Sequence, residues 1–289
     1  MNKENIGILF AIITAVVSGF AIMVNKFFLV SLDPTLFTSL RTFLVGLGFF
    51  IISFFKNKLS FKNFNKVPWK ILLSIGVVAG FAFLAFFNGL KITTAGRAAF
   101  LHKLLPLFIT VLAFTFLKEK IKRIQVYAMI VMIIGAYMIS SSAITFDIAI
   151  GDFLVIIATI LFALENIISK YALLKKESNF IVSFCRMFFA SILLFSIVLL
   201  TGKFDQLLLL TSEQALYIGI SVSILFLYVF FWYYSIKLIK VSKASTLLLL
   251  SPPISLFLSY LFLEEAILPL QIIGSILILF GAFIVSKKG

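Results

Sequence analysis

Residues 98–136 read AAFLHKLLPLFITVLAFTFLKEKIKRIQVYAMIVMIIGA, and positions 244–282, which lie 146 residues further on, read ASTLLLLSPPISLFLSYLFLEEAILPLQIIGSILILFGA. The register holds without a gap from Gly89/Ser235 to Ser140/Ser286 and gives 15 identities in 52 positions. Shared apolarity returns chance matches of Leu and Ile. It does not place Lys91 on Lys237, Ala98 on Ala244, Pro106 on Pro252, Glu119 on Glu265, Gln125 on Gln271 and Gly135-Ala136 on Gly281-Ala282 together. Upstream, GILFAIITAVVSGFAIMVNKF (7–27) aligns on GDFLVIIATILFALENIISKY (151–171), with Gly7 on Gly151 and Lys26 on Lys170, and Arg41 falls on Arg186. The chain reads as a duplication, 1–145 followed by 146–289, in one integrated unit. The internal copy also argues that the first 28 residues are a structural span and not a cleaved leader.

The repeated unit is a membrane unit. The chain is 62% hydrophobic and 12% charged, with a mean hydropathy of +1.19, where soluble domains have about 45–50% and about 25%. Such a composition leaves too little polar surface to face water on all sides. Counting apolar runs against the roughly 20 residues a helix needs to cross hydrocarbon gives ten spans, near 6–29, 36–55, 69–90, 97–117, 123–141, 151–172, 179–200, 213–237, 243–263 and 267–286. The expected fold class is an all-α integral membrane protein with short connections and no soluble domain. Each half holds five spans, an odd number, so the halves enter the bilayer in opposite directions and form an inverted repeat. That architecture recurs in secondary transporters.

The formal net charge of +14 raises the question of a polyanionic partner, and the placement of the charges answers it. With both termini cytoplasmic, 18 of the 25 Lys and Arg residues fall on inner connections or ends, among them Lys56, Lys58, Lys62, Lys66, Lys118, Lys120, Lys175 and Lys240. Lys26, Lys91, Arg97 and Lys203 fall outside, and Arg41, Lys103 and Arg186 fall within spans. The basicity follows the positive-inside rule, and no block remains that calls for a nucleic acid. The expected location is the cell (inner) membrane, as a multi-pass protein.

The five-plus-five repeat carries a family resemblance. AlaGlyArgAlaAla (95–99), Pro106 and Lys118-Glu119-Lys120 mark the fourth span, Ser242-Lys-Ala-Ser, Pro252-Pro253 and Glu264-Glu265 the ninth, and Gly135-Ala136 and Gly281-Ala282 the fifth and tenth. In these features the chain resembles the EamA-type branch of the drug/metabolite transporter superfamily. The resemblance covers essentially the whole chain and rests on many weak positions. It implies a ten-helix exporter or importer of small metabolites, with a central cavity lined largely by the first, third, fourth, sixth, eighth and ninth spans.

Ionisable groups inside the spans are the candidate site. FLHKLLPLF (100–108) holds His102, the single His of the chain, beside Lys103. Lys103 lies about 9 Å below the outer end of its span at 1.5 Å per residue. A cation there costs on the order of 2.5–3.5 kcal/mol and has to face protein, water or a partner. Neighbouring helical residues point about 100° apart, so His102 and Lys103 are not expected to aim at one point. Glu165, in LFALENIISK, is the deepest acid. Two readings stay open: a structural ion pair with Lys103 or His102, or a site in which Lys103 takes a substrate carboxylate and Glu165 an amine or a coupling proton, with His102 a second proton candidate. The repeat favours the second, because the counterparts of His102, Lys103 and Glu165 are Leu248, Leu249 and Ala21. Arg41/Arg186 and Glu119/Glu265 are duplicated and read as structural, with Arg41 a weaker substrate candidate.

Tyr228 and Trp232, four apart in the eighth span, are the aromatic candidates; a belt at the inner boundary is the competing reading for Trp232 to Tyr234. Asn88 and Asn166 complete the binding set. Pro106, Pro252 and Pro253 are expected to kink or break their helices at equivalent places, as a packing feature or as hinges. Gly76 and Gly80 form a GxxxG suited to close helix approach. Cys185 is alone and forms no disulfide.

No P-loop, HExxH or Cys/His ligand set is present in the sequence, so no cofactor, metal or ATP hydrolysis is expected. The function expected is secondary transport of a small polar or amphipathic metabolite, an amino acid or similar zwitterion, by alternating access and in the direction of efflux. The expected partners are the metabolite, the lipid bilayer and protons as coupling ion, in a monomer or homodimer. The alternatives are a lipid-handling protein (a scramblase or a lipid-modifying enzyme) and a channel on the same scaffold.

Overall fold

The structure is a computed structural model that describes residues 2–28, 33–56, 68–140, 150–264 and 266–288. Lys58, Lys62, Lys66 and Glu265, and the side chains of Lys26, Lys91 and Lys288, lie outside the described residues.

The described chain is helical: α1 Lys3–Phe28, α2 Pro34–Phe55, α3 Trp69–Ile92, α4 Ala95–His102, α5 Leu105–Phe116, α6 Arg123–Ser140, α7 Ile150–Leu174, α8 Asn179–Leu200, α9 Ser212–Leu238, α10 Val241–Leu247, α11 Ser251–Leu263 and α12 Pro269–Lys288. They supply ten segments long and apolar enough to cross a bilayer. α4 with α5 forms the fourth, and α10 with α11 forms the ninth.

The two composite spans break where the prolines stand. Pro106 lies in the first turn of α5, and Pro252 and Pro253 lie in that of α11. A proline has no N–H to offer the carbonyl four residues back, and its ring clashes with that carbonyl. α4 therefore stops at His102, with Lys103 as its cap, and α10 passes through a 3₁₀ turn at Leu248–Leu250. Both spans also end on a residue in the left-handed region, Lys118 (φ 54°) and its counterpart Glu264 (φ 55°).

Packing inverts the soluble pattern. Large apolar side chains such as Phe55, Phe114, Tyr127, Ile276 and Phe283 point outward, while Thr14, Thr42, Thr159 and Thr246 are buried. Each of those four hydroxyls donates to the carbonyl four residues back in its own helix, which satisfies it without water. The GxxxG expectation holds: a Cβ on Gly76 would lie 2.4 Å from Phe189 Cβ and 2.6 Å from the Cys185 carbonyl oxygen, so α3 and α8 touch backbone to backbone. Gly135 and Gly274 join α6 to α12 in the same way, each facing the other's carbonyl.

At its N-terminus α2 is anchored by Asp33, whose carboxylate caps the N–H groups of Thr35 and Leu36 and pairs with Lys203. Burial pushes this carboxyl up, but Lys203 and the two amides outweigh it and hold it below the usual carboxylate range.

Candidate functional site

Between the helices lies a cavity of about 240 Å³. Ser18 and Ala21 come from α1, Arg41 from α2, Phe83 from α3, His102 from α4, Leu105 from α5, Phe162 and Asn166 from α7, Arg186 from α8, and Ser221, Ile224, Leu225, Tyr228 and Trp232 from α9. Lys103 enters from the break between α4 and α5. A side space of about 50 Å³ shares Ser18, His102, Lys103 and Tyr228 and reaches Ser251 at the break of the ninth span. The volume is below the roughly 300–1,000 Å³ of drug-sized sites, so the cavity fits a small metabolite.

The helix break resolves the expected conflict between His102 and Lys103. Both reach the cavity, because the backbone leaves helical geometry between them and the start of α5. Lys103 Nζ donates to Ser251 Oγ at 2.8 Å, which ties the two broken spans together. The His102 ring sits edge-on to Phe86 and Phe162, and its Nδ1 is buried without a partner. On the facing wall the Trp232 indole N–H donates to Asn166 Oδ1 at 2.7 Å, and Asn166 Nδ2 donates to the Phe162 carbonyl at 2.8 Å. Trp232 is 2% exposed and Tyr233 fully buried, so neither sits in a boundary belt.

Glu165 is displaced from its expected place. It is fully buried and absent from the cavity wall, and neither Lys103 nor His102 is its partner. Its Oε2 lies 3.0 Å from Arg186 Nε, a charge contact whose angles are not those of an aligned hydrogen bond. Oε1 accepts from Ser169 Oγ at 2.7 Å and from the Tyr233 hydroxyl at 2.8 Å. The physical reason is donor supply: a buried carboxylate settles where several donors converge, and α8 and α9 bring Arg186 and Tyr233 to join Ser169 of α7 itself. Arg186 in turn lines the cavity and pairs with Glu165. Asn88 is also away from the cavity: it is exposed and donates to the Leu84 carbonyl in its own helix.

Arg41 stands differently from its counterpart. Its guanidinium lies over the Phe37 ring at 5.2 Å, one Nη is 3.5 Å from Ser221 Oγ, and its Nε is buried with no partner. Among the described lining residues there are three cations, Arg41, Lys103 and Arg186, and no carboxylate.

The end of the molecule that carries residues 118–122 and 239–243 is closed by charged caps. Both Glu119 carboxylate oxygens take the first amides of α10, Val241 N at 2.9 Å and Ser242 N at 3.3 Å, and Oε2 also takes the Ser242 hydroxyl at 2.6 Å. Lys170 Nζ donates to the Ile236 and Ile239 carbonyls at the end of α9. Lys243 pairs with Glu4, and Lys240 Nζ donates to the Lys120 carbonyl at 2.7 Å.

A ten-span fold with two proline-broken helices around a small central cavity has a match among protein families. The model of the EamA-like transporter family matches residues 5–141 and residues 149–287. The chain belongs to this family. It is 28% identical over 283 residues to an uncharacterized transporter of Archaeoglobus fulgidus, covering 93% of this chain and 95% of that one. It is also 24% identical over 288 residues to the uncharacterized transporter YoaV of Bacillus subtilis, covering 98% and 96%. A solved crystal structure superposes with a TM-score of 0.79 at 15% identity over 96% of this chain and 95% of that chain. The EamA-like chain is thus a multi-pass membrane transporter. Arg186, Phe83, Phe162 and Ser251 are cavity residues that reading the sequence missed. For Arg186 a signal existed: the repeat duplicates the arginine but not the carboxylate.

Proposed function

We propose that the protein is an alternating-access secondary carrier for a small amphipathic metabolite, with the two halves acting as inverted repeats and export as the working direction. The observation that carries this is an unequal packing of equivalent pairs. Exchanging the halves maps α1 on α7, α2 on α8, α3 on α9, α4/α5 on α10/α11 and α6 on α12. Of the main packing pairs, α1 with α9 and α3 with α7 map onto each other, and α2 with α8 and α6 with α12 each map onto themselves. Gly7 against Leu238–Ile239 maps onto Gly151 against Ile92. Two pairs do not obey the exchange: α5 packs on α10 whereas α4 barely meets α11, and α3 packs on α8 far more than α2 on α9. Near-symmetry with a localised imbalance is what a two-state carrier has when closed at one end. With the termini cytoplasmic, the closed end is the inner one.

A substrate would contact Lys103, Arg41, His102 and Asn166 through its polar part and Phe162, Tyr228 and Trp232 through its apolar part. Glu165 has no place in this contact set, so the amine half of the zwitterion reading loses its partner while the carboxylate half keeps Lys103. Purified protein in liposomes tests the carrier reading. Vesicles loaded with an unlabelled organic or amino acid should take up the labelled compound by saturable counterflow. Ohmic current, or transbilayer movement of labelled lipid without counterflow, would overturn it in favour of a channel or a scramblase.

A further inference from the structure

The repeat places two arginines at equivalent positions but gives only one of them a carboxylate. Arg186 has Glu165 at 3.0 Å. The counterpart of Glu165 is Ala21, and the counterpart of Arg186 is Arg41. Ala21 and Arg41 both line the cavity. Where the second half holds a protein carboxylate, the first half holds cavity beside a guanidinium whose Nε has no partner and whose Nη1 makes a long bond of 3.5 Å to Ser221 Oγ. Lys103, with one donor committed to Ser251, faces the same space. Two cations on the wall of a cavity inside the bundle, with no carboxylate among its described lining residues, are costly unless something supplies a counter-charge.

We infer that the cargo supplies it: an organic anion with an apolar body, a carboxylate or a phosphate monoester, whose charged group takes at Arg41 the place that Glu165 takes at Arg186, with Lys103 as the second cation. A planar guanidinium recognises either oxyanion through paired donors. Phe83, Phe162, Tyr228 and Trp232 then receive the apolar body. A zwitterion is disfavoured, because its ammonium would enter a cavity that already carries Arg41 and Lys103, with Arg186 balanced by Glu165 and no carboxylate among the described lining residues. This inference rests on the carrier reading for its meaning as cargo, but the binding site can be tested without it.

The test holds one ring constant and changes its charged group. Thermal unfolding of the detergent-purified full chain is followed with 3-phenylpropionate, phenyl phosphate, phenylalanine and phenethylamine, each against an equal concentration of sodium chloride. A ligand that binds the folded state raises the midpoint in proportion to RT ln(1 + [L]/Kd). The anions should raise it, with phenylalanine and phenethylamine giving little or nothing. Arg41→Gln and Lys103→Gln should each weaken the response by about 10- to 100-fold, the loss of a charge-assisted hydrogen bond. Ala21→Glu should rebuild the second ion pair, keep or raise the midpoint without ligand, and abolish the anion response. The inference is overturned if phenylalanine or phenethylamine stabilises as well as the anions, if neither anion stabilises at millimolar concentration, or if Ala21→Glu leaves the response intact. Binding of 3-phenylpropionate without its counterflow in vesicles would overturn the carrier reading and leave the anion site standing.

Discussion

The Glu165 carboxylate has three donors around it, and removing its charge leaves the Arg186 guanidinium buried with nothing to neutralise it. Breaking a buried pair from one side costs about 3–5 kcal/mol, more than the pair itself contributes. Glu165→Gln should therefore lower the thermal midpoint markedly, and loss of transport in this variant should accompany loss of folded protein. A variant that stays as stable as the parent but no longer transports would return Glu165 to the substrate site. Lys103 and His102 were legible as candidates because ionisable side chains in an apolar run have to face protein or a cavity, and both line the cavity. The partner of Glu165 was not legible. Arg186 lies on a different helix, and hydropathy gives depth along a span but no direction across the bundle.

At the scale of elements, glycine position separates contact from spacing. Gly76 sits where a Cβ would press on the α8 backbone, whereas Gly219, within α9, has nothing within 4 Å of that position. Gly76→Ala should cost roughly 1–3 kcal/mol by overpacking, and Gly219→Ala should leave the midpoint unchanged or raise it through helix propensity. Equal effects of the two, measured by thermal unfolding, would contradict the close α3–α8 contact. Helix ends were readable where local chemistry sets them. Pro106 and Pro252-Pro253 mark the two breaks, whereas the capping box of Thr211 with Gln214 that starts α9 shows only in the structure. The convergence of His102 and Lys103 on one cavity was not readable, because helical periodicity assumes a continuous helix and the break suspends it at that point.

At the scale of the whole molecule, the ten spans were legible from the length of their apolar runs, while which helix packs on which is a property of the fold. The register carries no record of which equivalent contacts are unequal in the folded chain. That difference lies in α5 on α10, reinforced by Glu119 at the α10 amides and Lys240 at the Lys120 carbonyl. If transport proceeds by opening this end, locking it must stop turnover while leaving the cavity able to bind from the other side. The direct measurement is counterflow of labelled 3-phenylpropionate in vesicles carrying Lys120→Cys/Lys240→Cys in a Cys185→Ala background, before and after a short cleavable thiol cross-linker. We expect cross-linking to abolish counterflow, cleavage to restore it, and the anion-induced thermal shift to persist throughout; counterflow that continues with the cross-link in place would contradict alternating access through this closure.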